Sequence, residues 1–324
     1  MKLDFTTLDK QKVIVLDNEI GLQVYLVNIG ASVWKIVFDG KVMNGVPDNF
    51  KDYFDGGCYY GKTVGPIANR IKDGKVIINN KEYQMEQNEG NNTLHSGSYG
   101  LSNYKFSYNG TIKTDKLWAV NYVLKTKKLK NGLPGNVSYQ VTYALYTKEN
   151  KLTILFSALS DEDTAMSMTN HLYFSLGDED LNEMNLTIPA NRFVNTEKDT
   201  LIPIEVKNVP KCLDFQKSKK IMKDIDDPFI KDHRSNGYDH GCSLKSKDPV
   251  ILENKNYKLS ITSDFDSVQI YSDNYETPYD ILTSTKKLHR SVAIEPEDNI
   301  LELHILKKNE QYSKQIDYVF EKKN

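Results

Sequence analysis

The chain has 324 residues, with 42 Lys/Arg against 44 Asp/Glu and a formal net charge of −2. Charges of both signs are well mixed, which argues against a nucleic-acid binder with its basic face. The lysine-rich spots at 125–130 and 217–220 are short and read as solvated surface rather than phosphate sites.

The first apolar run, Val13 to Leu16, is too short for a signal peptide or a membrane span. Cys58, Cys212 and Cys242 are widely spaced and odd in number, so they form neither a disulfide framework nor a metal spacing. A soluble, cytoplasmic protein with reduced thiols is expected, with no membrane or nucleic-acid partner.

Short alternating segments joined by turn pairs follow one another from the N-terminus. Leu22 to Val27 leads through Asn28-Ile29-Gly30 to Ser32–Phe38, and Asp39-Gly40 turns the chain. Asn79-Asn80 separates Lys75–Ile78 from Lys81–Met85, and Asn109-Gly110 is another hairpin signal. The clearest pair is Tyr139–Tyr146 with Lys151–Leu159. Phe215, Ile221, Met222 and Ile225 allow one short helix. Strand periodicity returns at Leu259 and Ile261, at Val268 and Ile270, and at Ile316, Tyr318 and Phe320. No low-complexity stretch or Pro/Gly-rich linker interrupts the chain. Residues 1–324 are therefore expected to form a single all-β domain, built as stacked sheets or a barrel.

Five stretches carry unusual residues. Gly61 to Ile71, "GKTVGPIANRI", surrounds Arg70 with small residues; an arginine tying down a loop is the simplest reading. Asn88 to Gly97, "NEGNNTLHSG", ends at His95 and lacks any phosphate-loop spacing. Ser167 to Leu176, "SMTNHLYFSL", alternates. Met166, Met168, Leu172, Phe174 and Leu176 share one face with Asn170, and Ser167, Thr169, His171, Tyr173 and Ser175 share the other. His171 thus lies on a polar face, either solvent surface or the lining of a cleft. Asn236 to Cys242, "NGYDHGC", holds Asp239, His240 and Cys242, but no second ligand pair at zinc-like spacing accompanies them, so no metal is expected. His233 and His289 read as surface residues, and His304 as outward-facing.

The fifth stretch is Arg290 to Asp298, "RSVAIEPED". Val292 and Ile294 point one way, and Ser291, Ala293 and Glu295 the other. Pro296 is expected to end the strand, because it cannot donate to a ladder. Glu295 then stands at a strand end beside the small side chains of Ser291 and Ala293, with room for a ligand.

Together, in this order and spacing, these stretches resemble the aldose 1-epimerase (galactose mutarotase) family along nearly the whole chain. "GKTVGPIANRI", "NTLHSG", "TNHLYFSLG", "GYDH", "VQIYSDN" and "AIEPED" each match a family motif. The resemblance implies a large antiparallel β-sandwich with a sugar cleft and few short helices. It implies His171 as general acid and Glu295 as general base. Arg70, His95, Asp239 and Asn69 match sugar-binding positions. No metal or cofactor is implied. The chain departs from the family at Ser96 (commonly glycine), Pro66 (often arginine) and Glu297 (commonly glutamine). Lys308-Asn309 replaces the usual Pro-Gly turn.

The chemistry suits this pair. Mutarotation removes a proton from the C1 hydroxyl and delivers one to the ring oxygen, then reverses. One base and one acid suffice, each worth roughly a hundred- to ten-thousandfold when well placed. Histidine holds and releases a proton near neutrality, and burial raises the basicity of a glutamate. The two are expected on opposite sides of one sugar ring. The rival readings are a hexose-6-phosphate epimerase, which needs a cationic pocket, a non-catalytic sugar-binding protein, and a glycoside hydrolase with two opposed carboxylates.

Overall fold

A computed structural model describes residues 1–55, 58–177, 180–284 and 286–323. Among them three large antiparallel sheets dominate. The first runs from the N-terminus as five strands in sequence order, from Lys2–Leu8 to Lys41–Val42. A nine-stranded sheet starts with Ser107–Lys113, Leu117–Thr126, Val137–Tyr146 and Lys151–Ser160. It continues through Gln311–Lys322 and Tyr257–Ser263 to short edge strands. A six-stranded sheet is ordered Tyr173–Phe174, Val292–Glu297, Ser267–Tyr271, Asp239–Leu244, Ala190–Thr196 and Pro203–Asn208.

Period-two alternation explains how the sheets stack. Val292 and Ile294, with Val268 and Ile270 beside them, bury one face of the six-stranded sheet. They join Ile316, Tyr318 and Leu259 of the nine-stranded sheet in one apolar cluster. Phe174 and Tyr318 meet across this interface, with ring centroids 5.6 Å apart. The first sheet adds Leu16, Val24, Ile36 and Phe38 to the same cluster. The opposite face of the six-stranded sheet carries Ala293, Glu295 and Glu297, and this face lines the site.

The turn signals at Asp39-Gly40 and Asn79-Asn80 are hairpin turns, with all four residues at positive φ. Four expectations change. Asn109-Gly110 does not turn the chain: the Ser107–Lys113 strand runs through it as a bulge, with Gly110 at φ 89°. Residues 215–225 are not a helix. Lys219–Lys220 pairs with Asn185 and Leu186 as an edge strand, and Ile221–Asp224 is a single 3-10 turn. A run this short cannot offset helix nucleation alone, and sheet pairing wins. Pro296 does not end its strand, which continues to Glu297. Finally, His233 is buried rather than on the surface, and its ring packs against His240 and Phe229. His289 and His304 are half-buried.

The reason Pro296 is tolerated lies in its hydrogen-bonding side. Its carbonyl accepts from Thr169 Oγ1 at 2.6 Å, and Ile294 N–H, two residues back, donates toward Leu172 O on that same side. The missing N–H of Pro296 therefore points away from Ser267–Tyr271, and the ladder to that strand stays intact.

Candidate active site

Strand register sets the pocket floor. Tyr173 pairs with Ala293, Ala293 with Tyr271, and Tyr271 with Asp239, so these four share one row on one face. One step along, Glu295 pairs with Gln269, and Gln269 with Gly241. Glu297 pairs with Ser267 in the row beyond. Gly241 leaves space here: a β-carbon on it would stand 3.1 Å from Gln269 Oε1. Gln269 Oε1 occupies that space, and its Nε2 donates to Asp239 Oδ1 at 2.6 Å.

His171 is held from behind by the Gly61-Lys62 segment. Its N–H donates to Lys62 O at 3.0 Å, and its carbonyl accepts from Gly61 N–H at 2.8 Å. Asn170, the polar member of the apolar face, donates to Gly61 O at 3.0 Å. Gly61 has no substitute here, since a β-carbon would lie 1.9 Å from Val33 O and φ is +63°. The segment around His171 is not one continuous strand. Thr169–Asn170 pairs with Thr63–Val64, Tyr173–Phe174 pairs with Val292–Ala293, and His171 stands between them. Its polar face is not solvent surface: His171 and Tyr173 are buried and line the cavity. The imidazole stacks on Tyr59 (5.6 Å between centroids) and Tyr173 (4.9 Å) and meets His95 edge-on.

Two loops supply the polar wall. Asn69 N–H donates to His95 Nδ1 at 3.1 Å, so that nitrogen is the acceptor and Nε2 carries the hydrogen. Asn69 also donates to Glu297 Oε1 at 2.9 Å and accepts from Arg70 N–H at 2.8 Å. Arg70 forks onto Glu89 (Nε to Oε2 2.8 Å, Nη2 to Oε1 3.2 Å) and reaches Asp239 Oδ2 at 3.4 Å. Arg234 donates to Glu89 Oε1 at 2.6 Å. Glu89 thereby ties both cations of the wall.

His171, Glu295, Arg70, His95, Asp239 and Asn69 all line one cavity of about 580 Å³. His171 Nε2 and Glu295 Oε2 stand 3.4 Å apart. They are neighbours on one side of the cavity, not opposed across it. Groups this close can serve two oxygens carried on one carbon. Burial pushes His171 down to about 3 and lifts Glu295 well above the usual carboxylate range, with Glu297 and Asp239 adding repulsion. Burial, with His171 and Arg70 close by, also holds His95 neutral. The His171–Glu295 pair therefore shares one proton between two titratable groups.

Among the described residues no group of three or more His, Cys, Asp or Glu is placed to hold a metal. Alternation separates the suspected set: Asp239 faces the cavity, while the His240 ring packs with Phe193, Phe229 and Tyr238 behind the sheet.

The family profile described as aldose 1-epimerase matches residues 12–319. This chain belongs to the aldose 1-epimerase family. The aldose 1-epimerase of Haemophilus influenzae is 28% identical to it, over 82% of this chain and 79% of that protein. The galactose mutarotase of Sus scrofa is 28% identical, over 69% of this chain and 65% of its own length. Among solved structures, galactose 1-epimerase from Lactobacillus acidophilus NCFM is similar with a TM-score of 0.90 at 25% identity, covering 100% of both chains. An aldose epimerase homologue from C. elegans has a TM-score of 0.82 at 24% identity, over 97% of this chain and 100% of that one, which speaks to the fold alone.

For a chain of the aldose 1-epimerase family, the departure at Ser96 has a local account. Ser96 adopts φ 67°, where glycine is easiest, and its hydroxyl bonds both Ile67 N–H and Ile67 C=O at 2.9 Å. Those bonds tie the His95 loop to the Arg70 loop. Several lining residues escape sequence reasoning: Tyr59, Glu89, Arg234 and Gln269. Gln269 stands inside the quoted "VQIYSDN" motif, and its alternation with apolar Val268 and Ile270 was a usable signal. Glu89 stands inside the quoted Asn88–Gly97 stretch without being singled out, and nothing local marks Tyr59 or Arg234.

Proposed function

We propose that the protein is a cofactor-independent aldose 1-epimerase that interconverts the α and β anomers of free aldohexoses such as galactose and glucose. The observation that carries this reading is the buried His171–Glu295 pair, 3.4 Å apart, in a cavity walled by hydrogen-bonding groups. One domain carries the whole reaction. Arg70, Asp239, His95 and Asn69 orient the sugar hydroxyls, and Tyr59 and Tyr173 offer apolar ring faces.

In the reaction, Glu295 takes the proton of the C1 hydroxyl while the C1–ring-oxygen bond breaks. His171 gives its proton to the ring oxygen, leaving an open-chain aldehyde. Rotation about the C1–C2 bond presents the other carbonyl face. The ring oxygen then attacks C1, His171 recovers its proton, and Glu295 returns one to the new hydroxyl. Burial favours the neutral pair, with the proton on Glu295. Its passage to His171, at near hydrogen-bond distance, sets the acid and base in their working states.

A free sugar fits this pocket better than a phosphorylated one. The two lining cations, Arg70 and Arg234, are both paired to Glu89, and the floor carries Asp239, Glu295 and Glu297. The unpaired Cys58, Cys212 and Cys242 support a reducing, cytoplasmic setting. Polarimetry on freshly dissolved α-galactose and α-glucose tests the reading. Equilibration faster than buffer is expected, and a rate equal to buffer would sink it.

A further inference from the structure

Glu297 is the one departure from the family motif that lies on the pocket floor, and its surroundings are unusual. It is buried, and its Oε1 accepts from Asn69 Nδ2 at 2.9 Å. Its Oε2 has no partner among the described residues, and the side chain lines the cavity. Successive odd positions of one strand place it on the same face as Glu295. Asp239 approaches from the strand beyond Ser267–Tyr271. Asp298 adjoins it in sequence and is held by Lys314 (2.8 Å) and Tyr312 OH (3.1 Å). Arg70 is the nearby cation on the pocket side, and it is shared between Glu89 and Asp239. Glu295, Glu297 and Asp239 therefore crowd one partly neutralised floor, where three negative charges cannot coexist cheaply.

We propose that Glu297 works as a neutral carboxylic acid that donates a hydrogen bond from its free oxygen to a sugar hydroxyl, and that its ionisation shuts the site in alkaline solution. A glutamine at this position could donate in the same way at every pH. The glutamate donates only while it holds its proton, so this chain gains a pH limit. Burial, with repulsion from Asp298 and Asp239, pushes the Glu297 carboxyl up to about 8 despite the Asn69 hydrogen bond. Once ionised, Glu297 loses its donor and opposes the carboxylate form of Glu295 that removes the C1 proton.

The inference rests on the mutarotase reading, and the test separates the two. Anomer exchange above buffer is measured from pH 6 to 9.5 for the wild type and Glu297→Gln. The wild-type kcat/KM is expected to fall about tenfold per pH unit above pH 8, whereas Glu297→Gln falls less than about threefold from pH 8 to 9. An active wild type whose alkaline limb survives unchanged in Glu297→Gln overturns the inference. A wild type with no rate above buffer at any pH overturns the mutarotase reading instead.

Thermal melts give a readout independent of activity. A carboxyl raised by folding stabilises fully below its unfolded value and loses that contribution as pH rises through its folded value. Glu297→Gln should therefore gain melting temperature over the wild type, with a gap that widens from pH 5 to pH 9. A gap that does not change with pH overturns the ionisation. Should the variant not fold, carbon-13 NMR of the glutamate carboxyls in Glu295→Gln decides, because burial raises Glu295 as well. A carboxyl titrating between pH 7 and 9 is expected, and titration of every glutamate below pH 6 overturns the proposal.

Discussion

His171 Nε2 lies 3.4 Å from Glu295 Oε2, and both side chains are buried at the cavity floor. His171 Nδ1 has no partner among the described residues, so the ring exchanges its proton through Nε2 alone. In the proposed mechanism, removing either partner removes one proton transfer. Glu295→Gln and His171→Asn are each expected to fold and to lose a factor of about 10²–10⁴ in kcat. Circular dichroism checks the fold and polarimetry the rate. Activity within threefold of wild type in either would reassign the roles.

The pH profile follows from the same pair. A free histidine acid would titrate through pH 6.5, but burial holds His171 down to about 3 and Glu295 well up. The pair loses its base only when a second proton binds, and that occurs near the lowered histidine value. kcat/KM at pH 5.5 is therefore expected within about twofold of its value at pH 7. A tenfold loss over that interval, with the fold intact, would show that His171 titrates as an exposed residue.

Gly61 couples the backbone to His171. A methyl group there meets Val33 O at 1.9 Å, at a φ that L residues avoid. Gly61→Ala should cost about 2–4 kcal/mol in urea unfolding. Its surviving folded fraction should show a kcat reduced on the order of a hundredfold, because Gly61 N–H and O position His171 and Asn170. Stability within 0.5 kcal/mol of wild type, by the about ±0.5 kcal/mol that ordinary surface changes give, would refute the close approach.

Ser96 joins two loops through Ile67. Ser96→Ala leaves both buried Ile67 backbone groups without that partner, while φ stays left-handed. A loss of about 1–3 kcal/mol is expected. Ser96→Gly also loses the hydroxyl but relieves the backbone, so its loss should be smaller. Equal melting temperatures for the two variants would remove the strain argument.

Arg70 tests positioning. Arg70→Lys keeps the charge but cannot fork onto Glu89 while reaching Asp239. KM for galactose is expected to rise about tenfold with kcat changed less than about threefold. A fall in kcat at constant KM would instead assign Arg70 to the transition state.

Much of this was legible in the chain. Alternation marked the core faces of Val137–Tyr146, Lys151–Ser160 and Gln311–Lys322, because a strand buried on one face writes a period of two into its sequence. The turn pairs at Asp39-Gly40 and Asn79-Asn80 were equally local, since positive φ restricts residue choice. The motifs around Arg70, His95, His171, Asp239 and Glu295 were readable as a set through their resemblance to a family. Asn109-Gly110, residues 215–225 and Pro296 misled because each local signal has two outcomes. A bulge, an edge pairing and a one-sided ladder are chosen by the neighbouring strand, which lies far away in sequence.

By itself the sequence determined the strand-rich class, the core faces and the family. Only the tertiary structure decided that the polar face of His171 is buried, that His171 and Glu295 stand side by side, and that Glu89 ties Arg70 to Arg234. It also decided that Glu297 joins Glu295 and Asp239 on one floor. Periodicity is a property of one strand and can be read along it. Proximity between Lys62 and His171, or between Asn69 and Glu297, depends on how separate loops and strands pack, and proton affinity follows from that packing.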